Sequence, residues 1–294
     1  MKQIKTFLLM VFMALSFQAM AQEPPKGTSW LVKEGAGVKV HTYMSPTSMF
    51  ANTSHVIELK DQLIVVDGQF FSPYAFELKA LTDKLGKPIS RFYISHDHPD
   101  HYLGFGDAFP TVPVYALEET RVAIQKDGPG VLAARQKRFG ALISKTLNAP
   151  SFVQKPGQER IAGVDFIFER SVDNEAAVSL VIKIPSIGVY VAQDIVYNQV
   201  HLFISGDTKG WKEALRKIKS KSAYSTILSG HGKEGGMALL DANLAYLDFV
   251  DEALRTTKSK EEYKARILAR FPDYAGVQLV DIYLAAYLKN NNWK

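Results

Sequence analysis

The run Ile94-Ser95-His96-Asp97-His98-Pro99-Asp100-His101 brings three imidazoles and the Asp100 carboxylate together in one short stretch, in a chain with only 7 histidines. Neutral imidazoles beside a carboxylate are the donor set a borderline divalent ion such as zinc prefers, and His-x-His-x-Asp-His is far more specific than most short motifs. The bland alternative is a solvated polar loop. Two more residues extend the donor set. Asp194 follows the apolar run Val189-Tyr190-Val191-Ala192, and His231 lies within Ser229-Gly230-His231-Gly232. A strand ending at Asp194 presents a carboxylate able to bridge two ions about 3.5 to 4 Å apart, the arrangement that activates water for hydrolysis.

Holding such a cluster requires strands that end at it. The runs Trp30 to Lys33, Val38 to Tyr43, His55 to Leu59 and Leu63 to Val66 predict a β-meander, with Lys60-Asp61 as a turn. Ser72-Pro73 opens a helix that runs to Leu85 and stops at Gly86. Phe92 to Ile94 then forms the strand that delivers the histidines. A short strand at Val114 and Tyr115 precedes a helical stretch from Leu117 to about Leu147, broken at Gly128-Pro129-Gly130. From Ser151 the β pattern returns, with Val164 to Phe168, Val178 to Ile184 and Val189 to Ala192 as strands, the last two joined around Pro185-Ser186. Trp211 to Ile218 reads as helix, Thr226 to Leu228 as a strand, and Gly236 to Leu288 as almost entirely helical. β-then-α therefore occurs twice with no linker between, which predicts one four-layer domain with helices outside two sheets.

Asp67 after Leu63-Ile64-Val65-Val66, the cluster at 96–101, Asp194 and His231 occur in the order and approximate spacing of the metallo-β-lactamase-fold hydrolases, and over residues 30–235 the chain resembles that family. The resemblance implies an αββα sandwich, here with extra C-terminal helices from about residue 236. It further implies that His96 and His98 hold one ion, that Asp100, His101 and His231 hold a second, and that Asp194 bridges them. Asp67 resembles the family's buried structural aspartate, which pins a loop or orients a ligand.

One position departs from the family. A third histidine usually precedes the strand before the bridging aspartate, but 170–177 contains none. Glu175 falls where that histidine is often found, and Asp173 is the second choice. A carboxylate would retain the ion as a hard anionic ligand, at some cost to its strength as a Lewis acid. The alternative is that neither acid ligates and the first site is weak or absent.

Asp100 and His201 are the candidates for catalytic work beyond ligation. His201 lies seven residues past Asp194 and is a candidate to protonate a leaving group or polarise a carbonyl, or else simply a packed histidine. Met49 and Phe50, between two early strands, either overhang the ions or bury against the sheet. Lys233 is a candidate carboxylate-binding cation, and His41 and His55 read as structural.

Composition narrows the class. Met1 to Ala21 has a basic start at Lys2 and Lys5, an apolar stretch from Phe7 to Phe17 and a small-residue exit, the layout of a cleavable secretory signal. Residues 22–294 then form the mature domain, exported to a periplasmic or extracellular compartment without a membrane anchor. Loss of the two lysines lowers the net charge of +5 to about +3, and no basic run dense enough for nucleic acid is present. The chain has 0 cysteines, which excludes disulfides, a thiol nucleophile and a lipidated cysteine tether.

Together these features point to a metal-dependent, zinc-type hydrolase with one or two ions. Iron or manganese are the alternative metals. A water made acidic by the metals attacks the carbonyl of a small ester, lactone, thioester or amide. Two rivals stand beside it: a mononuclear iron dioxygenase using His96, His98 and a carboxylate, and a non-catalytic binding protein with a degenerate metal site.

Overall fold

The computed structural model describes residues 25–220, 223–289 and 292–293. The expected leader, residues 1–21, lies outside the described residues. No helix among the described residues is long and apolar enough to cross a membrane.

The meander forms as its alternation dictates. Strands β1 (Thr28–Gly35), β2 (Val38–Met44), β3 (Thr53–Glu58) and β4 (Leu63–Val66) pair antiparallel in sequence order. Helix α1 (Ser72–Leu85) then crosses over, ending at Gly86 with φ 68°, a left-handed stop that costs glycine little. Strands β5 (Ile89–Tyr93), β6 (Val114–Ala116) and β7 (Phe152–Val153) complete a seven-stranded sheet by parallel pairing. The second sheet has five strands in the order β12-β11-β10-β9-β8, made of β8 (Gly157–Ile161), β9 (Val164–Val172), β10 (Val178–Ile184), β11 (Val189–Tyr197) and β12 (Thr226–His231).

Three cores separate four layers. Between the sheets, Ile64 and Val66 of β4 meet Val189 and Val191 of β11, Phe166, Phe168 and Leu180. The alternate residues of β4, Leu63 and Val65, face outward onto Tyr74, Ala75 and Leu78 of α1. On the far side Tyr190 and Ala192 of β11 face helices α3 (Lys209–Lys219), α4 (Ala238–Thr256), α5 (Lys260–Arg270) and α6 (Val277–Ala286), through Trp211, Leu240, Tyr246 and Tyr283. Both sheets thus bury both faces, and truncating a fully buried leucine such as Leu63 to alanine costs about 2–5 kcal/mol.

The expected break at Gly128-Pro129-Gly130 is absent: α2 (Glu118–Phe139) runs straight through, and its helical stretch ends well before Leu147. Thr120, Ile124, Gly128 and Leu132 form one buried stripe at i+4 spacing that spans the proline, so packing outweighs the local breakers. Gly128 lets the helix press close, since a Cβ there would stand 3.0 Å from Leu147 Cδ2. Strands β7 and β8 lie where the β pattern returns after Ser151, although neither carries apolar alternation strong enough to mark its bounds.

At one end the sheets are stitched together. Asn52 bridges to His231, and the Thr53 hydroxyl donates to the carbonyls of Ser229 and Gly230. His55 Nε2 lies 3.2 Å from the same Ser229 carbonyl. The carboxyl ends of β4, β5, β11 and β12 converge there.

Candidate metal centre

Asp67, at the end of β4, sits at φ 62° and is fully buried. Its carboxylate accepts from the Ser95 backbone N–H at 2.7 Å, from the Ser95 hydroxyl at 2.6 Å and from His101 Nδ1 at 2.8 Å. The short helical turn Pro99–His101 then folds the histidine run back on itself, so His96, His98 and His101 point into one volume.

Strand β11 supplies Asp194 through a break in its ladder with β12 on either side of Gln193, which takes φ 46°. Such bulges re-aim side chains. Here Gln193 turns inward to donate to Asp67, and the Asp194 carboxylate enters the centre. Gly230 makes the space, because a Cβ there would lie 1.7 Å from Asp194 Oδ1. Glu175 comes from the turn between β9 and β10, where Asp173 adopts φ 51° and Asn174 Oδ1 accepts from the Ala176 N–H and the Ser179 hydroxyl. That turn buries Glu175 and leaves Asp173 exposed, which separates the two sequence candidates.

The result is two donor groups with Asp194 in common. His96, His98, Glu175 and Asp194 form one, and Asp100, His101, His231 and Asp194 the other, the ligand atoms of each group lying within 4.8 Å of one another. His98 Nδ1 is 3.1 Å from Glu175 Oε1, and His96 Nε2 is 3.6 Å from Glu175 Oε2 and 3.8 Å from Asp194 Oδ2. His101 Nε2 lies 3.2 Å from Asp194 Oδ1, and His231 Nε2 is 3.2 Å from Asp194 Oδ2 and 3.3 Å from Asp100 Oδ2.

The donor chemistry fits divalent ions. His96 Nδ1 lies against the Ser95 hydroxyl at 2.8 Å, His101 Nδ1 against Asp67, and His231 Nδ1 against the Phe50 carbonyl at 2.8 Å. In each ring this leaves Nε2 as the free donor aimed at the centre. His96 Nε2, His101 Nε2, both Glu175 oxygens and Asp194 Oδ1 are buried without a hydrogen-bond partner; the close His98–Glu175 and His101–Asp194 approaches lack hydrogen-bond alignment. Buried polar atoms left in that state are costly unless something else meets them, and an ion does so.

Charges in the cluster are strongly coupled. Burial disfavours a proton on His101 and His231, but Asp194 and Asp100 outweigh it, holding His101 well above the ordinary histidine range and His231 at about 10. His98 is likewise opposed by burial and pushed up to about 9 by Glu175. His96 goes the other way, lowered to about 3 by burial and by His101. Burial raises Glu175 to about 7, while Asp194, despite its burial, is held well below the carboxylate range by His101 and His231.

Several contacts around the centre had no signal in the sequence. Asn52 Nδ2 donates to the carbonyl and carboxylate of Asp100, both at 3.2 Å. Tyr197 donates to Asp194 Oδ2 at 3.0 Å and stacks on His231 with ring centroids 4.7 Å apart. Met49 and Phe50 pack against the outer cores rather than over the centre, and Phe50 reaches His231 through its backbone.

His201 belongs to neither donor group. Past β11 the chain is drawn to the C-terminal helices by a bridge from Val200 to Ala275, so His201 Nδ1 meets the Tyr246 hydroxyl at 3.0 Å and burial lowers its pKa to about 4. Lys233 stands over the Trp30 ring at 5.6 Å, His41 pairs with Glu58 at 2.9 Å, and His55 meets Thr42 at 2.8 Å. None of these three belongs to either donor group.

No family model matches the chain. Over 183 residues it is 26% identical to an alkyl/aryl-sulfatase of Saccharomyces cerevisiae, a match covering 50% of this chain and only 28% of that protein. Among solved structures it is similar to a metallo-beta-lactamase from Pontibacter korlensis, with TM-score 0.59, 18% identity, and coverage of 75% of this chain and 99% of that one. A mono-zinc metallo-beta-lactamase from Pseudomonas aeruginosa gives TM-score 0.58 at 17% identity, covering 77% and 98%. An enzyme of the same name from Hirschia baltica gives 0.54 at 20%, covering 76% and 98%. Two sheets enclosed by helices, together with the likeness to these solved structures, settle the architecture: the chain has the metallo-β-lactamase fold.

Proposed function

We propose that the protein is a metal-dependent hydrolase that takes two divalent ions, with zinc the best match to its donors. The observation that carries this is the pair of buried donor groups sharing Asp194, with their Nε2 and carboxylate atoms unsatisfied. His96, His98 and Glu175 would hold one ion, Asp100, His101 and His231 the other, with Asp194 between them. Divalent ions bound there would lower the pKa of a water toward about 7 and polarise the carbonyl oxygen of the substrate.

The chain's own residues supply the rest. Asp67 fixes the ring of His101, the Phe50 carbonyl fixes His231, and Asn52 holds Asp100. His98 and Asp100 are 25% and 21% exposed, against 3% or less for the other donors, so substrate enters on their side. Asp100 there can accept a hydrogen bond from the attacking water. Water's oxygen joins the acyl carbon, the ester or amide bond breaks, and the leaving group takes the proton. Glu175 in place of a neutral imidazole makes its ion a weaker acid, which suits activated esters, thioesters and lactones better than stable amides.

A second reading, hydrolysis of sulfate esters, is favoured by the yeast relative's name. One experiment separates the readings. The protein is loaded with zinc, its metal content measured by mass spectrometry, and a nitrophenyl ester, a lactone, a thioester, a β-lactam and a nitrophenyl sulfate are offered with and without a chelator. Two zinc ions per chain and chelator-sensitive carbonyl hydrolysis are expected. Sulfate turnover alone would establish the second reading, and full loading with no turnover would overturn both.

A further inference from the structure

The segment after β11 does more than carry His201 away. Its next aromatic, Phe203, stands edge-on to His98 with ring centroids 5.7 Å apart, beside the exposed entrance to the centre. Two tyrosines at the end of the C-terminal helices back it: Tyr287 lies edge-on at 5.4 Å and Tyr283 at 6.3 Å. Tyr283 is fully buried, Phe203 half-buried, and Tyr287 is 53% exposed. The helix that carries Tyr283 is tied down at its other end by Gln278, which donates to the Ser48 carbonyl at 3.0 Å. A firmly backed apolar surface therefore continues from a proposed ligand out to solvent. Concave sites recognise small molecules through such a surface next to a few placed polar groups.

We infer that Phe203 and Tyr287 form the specificity wall of the site and take the apolar acyl chain or ring of the substrate. This rests on the hydrolase reading for its chemistry, but not for its test. An acyl group whose carbonyl reaches the side of His98 runs its chain along Phe203 toward Tyr287, and each methylene buried there strengthens binding. Selectivity by such a surface amounts to about 10–200-fold between substrates that differ in apolar size.

The test compares octanoate with acetate as ligands of the zinc-loaded protein by calorimetry, and 4-nitrophenyl octanoate with 4-nitrophenyl acetate as substrates. The parent should prefer the octanoyl member of each pair by at least about tenfold. Phe203→Ala should reduce that preference about tenfold, and Tyr287→Ala, at an exposed position that does not endanger folding, about threefold. A parent with no preference, or variants that weaken both members of each pair equally, would overturn the wall; in the second case Phe203 only props His98. If octanoate is preferred in binding and neither ester is turned over, the wall stands and the hydrolase reading falls.

Discussion

The two donor groups share Asp194 but are built differently. Around Asp100, His101 and His231 almost every donor has a partner behind it: Asp67 for His101, the Phe50 carbonyl for His231, Asn52 for Asp100. Around His96, His98 and Glu175 only His96 has such a partner, the Ser95 hydroxyl, while both Glu175 oxygens are unbonded and His98 lies at the entrance. One group is held from behind by the junction of the two sheets; the other is completed by a tight turn. Geometry should therefore be stiffer in the Asp100 group, and the affinity for ions more tunable in the Glu175 group.

The largest effect should come from the feature common to both. Gly230→Ala places a Cβ where Asp194 Oδ1 lies, so metal content by mass spectrometry should fall toward zero and hydrolysis by orders of magnitude. Retention of two ions would mean that Asp194 has another position open to it.

Glu175 and Asp67 divide the groups. Glu175→Ala should reduce the stoichiometry toward one ion per chain, and Glu175→His should keep two while shifting the activity profile to lower pH, because a neutral donor makes the water more acidic. Asp67→Asn, tolerable at φ 62°, should leave two sites but weaken one about 10–100-fold, read by competition with a chromophoric chelator. Equal weakening of both sites would erase the distinction drawn between them.

The smallest effect is in stability. Without ions, the His231 and His98 pKa values are raised, so their stabilising contribution is complete below about pH 6.5 and is lost as pH rises through about 9 and about 10. Glu175, raised to about 7, acts in the same direction. The melting temperature of chelated protein should fall between pH 7 and 10, and zinc, replacing those protons, should flatten the curve. A flat curve for the chelated protein would show that these charges are relaxed in solution.

Much of this was legible because it is local or periodic. The unbroken apolar runs Leu63–Val66 and Val189–Ala192 mark strands buried on both faces, and His96 to His101 lie close together before any folding. What escaped has no local trace. The Phe50 carbonyl and His231 are 181 residues apart, and a backbone oxygen leaves no signature in composition. His201 shows the converse: it is near Asp194 in sequence yet in neither donor group, because the left-handed turn at Gln199, φ 54°, and the Val200–Ala275 bridge carry the chain to the C-terminal helices. Glu175 lay between these cases, found only through the position of the histidine it replaces.

Each donor group takes residues from both sheets: the loop after β5 gives the histidine cluster, while Glu175, Asp194 and His231 come from the second sheet. An ion in either group would thus be a rivet between the two halves of the sandwich. At a hundredfold excess over its dissociation constant, one such ion adds about 2.7 kcal/mol to the folded state. The supply of metal around the protein would then govern its lifetime as well as its chemistry.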